Sequence, residues 1–124
     1  MASLATASLT ATERRVLERF VGLLRDEFGA GLRGVWLYGS RARGEQPGAE
    51  SDVDVLVVAT PSDADEHHRR VFDLLSDASM AEGANPLVFS IQVYEPDRVA
   101  DRRRIRSFFF QEVDRDKIVL FGEP

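Results

Sequence analysis

Cysteine is missing altogether. Disulfides, zinc–thiolate centres and thiol catalysis are therefore excluded. Lysine is almost as scarce, with Lys117 the single example. Arginine supplies the remaining positive charge, which we read as genome bias. There is no excess of positive charge either. The formal net charge is -5, against the broad basic field of a general nucleic-acid binder, although a local basic patch stays open. No apolar run approaches the ~20 residues of a membrane span. Met1 to Ser8 is small and uncharged, without the basic start and long apolar core of a secretory signal. These absences predict a cytoplasmic chain. Internal repeats, low-complexity stretches and domain linkers are also absent.

What is present suffices for one core. The chain has 124 residues, 44% of them hydrophobic, the scale of one small domain. A loose tail is expected over 1–9 and a single domain over 10–124. Thr10 and Glu13 form a capping box that opens a helix. Leu17, Phe20, Val21, Leu24 and Phe28 then recur at helical spacing, and Gly29 to Gly31 end it. Gly34 to Tyr38 is a β-rich run, broken by Gly39-Ser40. Ser40 to Arg43 reads as the first turn of a short helix, and Glu45 to Ser51 as a loop.

Asp52 to Val58 is the second strand. Val53, Val55 and Val57 face one way; Asp52, Asp54, Leu56 and Val58 face the other. Ser62 to Ala78 predicts a second helix, with Ser62, Asp63 and Asp65 at its N-terminal end and Val71, Leu74, Leu75 and Ala78 buried. His67 and His68 are adjacent and so do not share a helix face. With Asp63 and Asp65 they resemble a metal set on paper, but a solvated helix start is the preferred reading. Leu87 to Tyr94 is a third strand, ended by Pro96. Asp101 to Val113 predicts one further helix with Ile105, Phe108, Phe109 and Val113 inward and Phe110 off the stripe. Ile118 to Phe121 closes as a short strand. The expected fold class is α/β (α+β), a small mixed sheet with helices on one face.

The chemistry concentrates in Tyr38-Gly39-Ser40-Arg41-Ala42-Arg43-Gly44 and Ser51-Asp52-Val53-Asp54. Residues i and i+2 of a strand share a face, roughly 6.6 Å apart along it. Asp52 and Asp54 therefore present two carboxylates that one divalent cation can touch. Mg²⁺ is usually held by one or two carboxylates together with phosphate oxygens and water. Gly39 lets a phosphate approach the backbone, and the start of the short helix offers N–H groups to an anion. The Ser40 hydroxyl can donate to a phosphate oxygen, and Arg41 or Arg43 can add charge-assisted bonds. Each part alone is common. The ordered combination of strand, Gly-Ser, short helix, loop, Asp-x-Asp and apolar strand is much more specific.

The run GSRARGEQPGAESDVDVLVV resembles the signature of the DNA polymerase β-like nucleotidyltransferase superfamily. More narrowly, it is similar to the stand-alone minimal nucleotidyltransferase (MNT) domains of bacteria and archaea. The resemblance implies that Gly39 and Ser40 hold nucleotide phosphates and that Asp52 and Asp54 bind the metals, two Mg²⁺ ions with ATP or another nucleoside triphosphate. It also implies a third carboxylate on a later strand. The strand over Leu87 to Tyr94 offers only the neutral Ser90 and Gln92 on its polar face. Glu95 has the wrong parity and Asp97 follows Pro96.

Such domains resemble half of a pair, with a small helical partner of the HEPN type to which some attach AMP. The implied activity is transfer of a nucleoside monophosphate to a hydroxyl of that partner. The alternatives are a degenerate domain that acts on the partner by binding alone, and transfer to a small molecule such as an aminoglycoside. An unrelated α/β domain with a chance Asp-x-Asp ranks last. Homo-oligomerisation stays open. Arg102-Arg103-Arg104, Arg106 and Phe110 are compatible with a docking surface, but a solvated arginine face and a packed Phe110 are the stronger readings.

Overall fold

The computed structural model describes residues 4–48, 52–60 and 66–124. Helix α1 spans Ala11–Phe28 and starts where the sequence places it. The Glu13 N–H donates to Thr10 Oγ1 at 3.0 Å, and the Thr10 N–H donates to Glu13 Oε1 at 2.8 Å. Two otherwise orphaned donors are thereby satisfied. Val16, Leu17, Phe20 and Leu24 are buried. A 3₁₀ turn over Gly29–Gly31 ends the helix.

Strand β1 covers Leu32–Tyr38 and β2 covers Val53–Ala59, with the one-turn helix α2 at Gly39–Ala42 between them. Helix α3 is His67–Ala81 and strand β3 is Phe89–Tyr94. Helices α4 (Pro96–Arg104) and α5 (Phe108–Asp116) precede strand β4, Ile118–Gly122. The sheet order is β3-β2-β1-β4. β1 runs antiparallel to β2 and β4, while β2 and β3 are parallel. The mixed sheet of the expected class is therefore present.

Strand alternation sorts the apolar side chains into two layers. Val35, Leu37, Val53, Val55 and Val57 join the buried faces of α1 and α3 in the main core. Trp36, Tyr38, Leu56 and Val58 point the other way, onto Val99, Phe110 and Val113. The expectation of helices on one face describes the α1–α3 layer; α4 and α5 add a second, smaller layer on the opposite face. Trp36 anchors that layer, donating from Nε1 to the Glu123 carbonyl at 2.7 Å. The Lys117 ammonium lies 4.0 Å from its ring centroid.

Three expectations need correction. The predicted helix over Asp101 to Val113 is two helices, separated at Ile105 to Ser107, where Arg106 takes φ 55°. Three non-helical residues break the 100° step, so the apolar phase is not carried across. Phe110 is consequently buried, while Ile105 and Phe108 are exposed. Pro96 starts α4 as well as following β3, because the first helical position needs no N–H. The tail expected over 1–9 is tied down in part: Ala7 is buried and Ser8 and Leu9 are half-buried, while Leu4 to Thr6 are exposed. Ala7 joins the core, and Arg14 donates to the carbonyls of Leu4 and Ala7 at 2.9 and 3.3 Å.

His67 is also placed differently. It is buried rather than solvated, edge-on to Phe28 at 5.4 Å between centroids. Burial pulls its imidazole below the ordinary value, against the Ala59 backbone and Glu95, which favour the cation. The capping role given to Ser62, Asp63 and Asp65, and their imagined metal set with the histidines, lie outside the described residues.

The two-layer packing predicts opposite outcomes at neighbouring phenylalanines. Phe110→Ala, which empties a filled site, should cost about 3–5 kcal/mol in urea unfolding. Phe108→Ala should stay within about 0.5 kcal/mol of the parent. Equal costs would contradict the break at Arg106.

Candidate functional site

Tyr38 ends β1, and the chain turns at once. Gly39 has φ +77°, a left-handed conformation that costs an L side chain free energy. It is also crowded. A Cβ at position 39 would collide with the Asp54 carboxylate, with Cγ 3.2 Å away. Two independent constraints therefore require glycine here. They also place bare backbone directly against a carboxylate.

Asp54 is brought to this point by the sheet. In β2 it pairs with Tyr38 on one side and with Ser90 on the other. It shares a strand face with Leu56 and Val58 and is half-buried, while Asp52 lies exposed just ahead of the strand. Burial pushes the Asp54 carboxyl above the usual carboxylate range, and the Asp52 charge pushes it further; Arg41 and Arg43 partly offset both. The predicted pair is thus electrostatically coupled. Tyr38 responds in the same way: burial, then the Asp54 charge, then Tyr94 raise its phenol.

The two arginines have different placements. Arg41 is buried. Its Nη1 donates to Glu13 Oε1 at 2.8 Å and to the Ser8 carbonyl at 3.0 Å. The Ser8 N–H in turn donates to the Arg41 carbonyl at 2.8 Å. One carboxylate, Glu13, therefore caps α1 and holds the turn. Arg43 is more exposed and pairs with Glu45 and with Asp116, the latter at 3.2 Å. With Tyr38, Gly39, Phe109, Glu112, Val113 and Asp116 it lines a cleft of about 120 Å³. Ser40 is half-buried within α2, and its carbonyl accepts from the Glu45 N–H at 3.1 Å. A larger cleft of about 300 Å³ lies between α1 and β4, where Glu18 is the single carboxylate among the described residues.

The parallel register clarifies the third position. The residue beside Asp54 on β3 is Ser90, and Gln92 lies beside Leu56. Glu95 is the residue preceding α4, and Asp97 belongs to the first turn of that helix. Among the described residues, no three acidic, histidine or cysteine side chains form a metal-binding cluster. Three contributors escaped the sequence reading. Glu13 looked like a cap only, Tyr38 like a strand end, and Phe109 like core. Phe109 in fact stacks edge-on against Tyr38 at 5.6 Å. The Tyr-Gly-Ser adjacency was the one available signal for Tyr38.

The family described as a nucleotidyltransferase domain matches residues 17–97. Comparison with curated proteins finds no match. Among solved structures, a mutant of the toxin-antitoxin MntA-HpeT is similar at 20% identity and TM-score 0.52, covering 86% of this chain and 73% of that one. A toxin-antitoxin with AMP-PNP is similar at 22% identity and TM-score 0.52, with the same coverages. These likenesses show the fold.

Two substitutions test the local geometry. Gly39→Ala should destabilise by about 1–3 kcal/mol, since it strains the backbone and displaces the Asp54 carboxylate. A neutral result in urea unfolding would contradict the crowding. Glu13 is the pH probe. Burial opposes its ionisation, but hydrogen bonds from Arg41 and Thr10 and the Arg41 charge outweigh burial and hold its carboxyl below the usual value. Its contribution is therefore complete above the unfolded-state value, near 4.3, and disappears as pH falls through the lower folded value. Glu13→Gln should cost about 1–3 kcal/mol at neutral pH and flatten the acid limb of thermal stability between pH 3 and 5.

Proposed function

Because this chain belongs to the nucleotidyltransferase domain family, we propose that it transfers a nucleoside monophosphate, AMP from ATP, to a hydroxyl on a protein partner of the HEPN type, in the cytoplasm and with Mg²⁺. The observation that carries this reading is the contact between the bare Gly39 backbone and the Asp54 carboxylate, with Asp52 coupled to it. A phosphate that reaches Gly39 necessarily meets a carboxylate. Such an encounter is repulsive unless a cation lies between them.

The residues fit Mg²⁺. Asp52 and Asp54 supply hard oxygen donors, and two carboxylates plus phosphate oxygens and water complete a usual set. A cation there would offset the repulsion between Asp52 and Asp54. A bound metal would neutralise phosphate charge and polarise the α-phosphate, where the acceptor hydroxyl oxygen bonds to phosphorus as the α–β bond breaks and pyrophosphate leaves. The chain's own residues do the positioning. Gly39 admits the phosphates, the Ser40 hydroxyl donates to a phosphate oxygen, and Arg43 lies beside the cleft as a further donor. Arg41, held by Glu13 and Ser8, fixes the turn from behind. Two structural neighbours support a nucleotide and a partner: one contains AMP-PNP, and both are toxin-antitoxin proteins.

One observation favours a second reading. The neutral Ser90 lies beside Asp54, so the acceptor hydroxyl has no third carboxylate there to take its proton. Under that reading the domain binds nucleotide and partner and neutralises the partner by contact.

Intact-mass spectrometry separates the two. The chain is mixed with the protein encoded beside it, ATP and Mg²⁺. Transfer predicts an AMP-sized mass increase on that protein, abolished in Asp52→Asn and in Asp54→Asn and by chelation of the metal. No increase, together with neutralisation that survives Asp54→Asn, would establish the binding reading instead.

A further inference from the structure

The break between α4 and α5 leaves something the transfer site does not use. Ile105 is 62% exposed and Phe108 is 76% exposed. Both flank Arg106, whose φ of 55° is the one left-handed non-glycine conformation among the described residues. A bulky side chain in that region costs free energy, and such strain clusters at binding sites. Here it turns Phe108 outward while Phe110 fills the core.

Four of the five residues from 102 to 106 are arginines, on a chain whose net charge is -5. Two of them are already paired. Arg103 donates to Asp114, at 2.9 Å and 3.0 Å, and Arg104 donates to Asp101 at 2.7 Å. Arg102 and Arg106 hold no carboxylate among the described residues. Backbone bonds close the break, with Ser107 N–H donating to the Arg102 carbonyl at 3.0 Å and Arg106 N–H to the Arg103 carbonyl at 3.1 Å. Two exposed apolar side chains thus share one break between helices with two arginines that hold no carboxylate among the described residues. The neighbouring Phe109 belongs to the candidate site instead, stacking on Tyr38 and lining the cleft with Gly39 and Arg43.

We propose that Ile105 and Phe108, together with Arg102 and Arg106 of the same break, dock a protein partner that presents an apolar pocket rimmed by carboxylates. The partner's being the acceptor rests on the transfer reading above; the docking surface does not. An apolar centre with a charged rim is the usual anatomy of a protein interface, and arginine and aromatic side chains supply its strongest contacts. Nucleic acid fits less well. Asp114 and Asp101 pair with Arg103 and Arg104 and would repel phosphates, and Ile105 has no ring on which a base could stack.

The test is titration calorimetry with the protein encoded beside this chain, using the parent, Phe108→Ser and the double variant Arg102→Glu/Arg106→Glu. Each variant should weaken binding on the order of tenfold or more, and parent binding should weaken as salt rises. ATP binding with Mg²⁺, measured in parallel, should be unchanged in both variants, since neither touches the transfer site. Unchanged partner affinity in either folded variant overturns the proposal, as does the absence of any binding by that protein. Binding of single- or double-stranded RNA that the double variant abolishes would assign the patch to nucleic acid instead. Self-association in sedimentation that Phe108→Ser removes would assign it to a second copy. Intact docking with failed AMP transfer would overturn the transfer reading and leave this one standing.

Discussion

A carboxylate occupies the space that a side chain at position 39 would need. That constraint organises the molecule. Asp54 is held by two neighbouring strands, antiparallel β1 through Tyr38 and parallel β3 through Ser90. Gly39 must then turn sharply with positive φ, because no other residue leaves the strand without striking the carboxylate. The short helix, the placement of both arginines and the cleft beside Phe109 all follow from that turn.

The turn is secured from the other side by charge. Glu13 satisfies the first turn of α1 and accepts from the buried Arg41. A buried guanidinium is expensive unless it is paired and hydrogen-bonded, and here both conditions are met. The N-terminal helix, the partly buried segment before it and the candidate phosphate turn are consequently one unit. Arg41 contributes to the site by holding its backbone and by lowering the cost of charge on Asp54. Arg43 remains at the edge of the cleft.

Most elements were legible because each is written in local terms. A capping box marks α1, a β-rich run broken at Gly-Ser marks β1, alternation marks β2, and the order of Gly-Ser and Asp-x-Asp marks the site. What escaped was non-local. The histidine at the start of α3 read as solvated because its neighbours in sequence are polar; burial against Phe28 comes from a residue 39 positions away. The last helical stretch read as continuous because no proline or glycine interrupts residues 101 to 113. The interruption falls at an arginine, and it reverses which phenylalanine is core and which is surface.

By itself the sequence determined the class of the sheet, the faces of its strands and the identity of the residues meeting at the turn, since strand parity and turn chemistry act over a few residues. Only the tertiary structure decided that Ser90 is the neighbour of Asp54, that Arg41 is spent on Glu13, and that Phe108 rather than Phe110 faces outward. The physical reason is the same in each case. Parallel register, buried ion pairing and helix phase depend on contacts between segments far apart in the chain, and no local pattern encodes them.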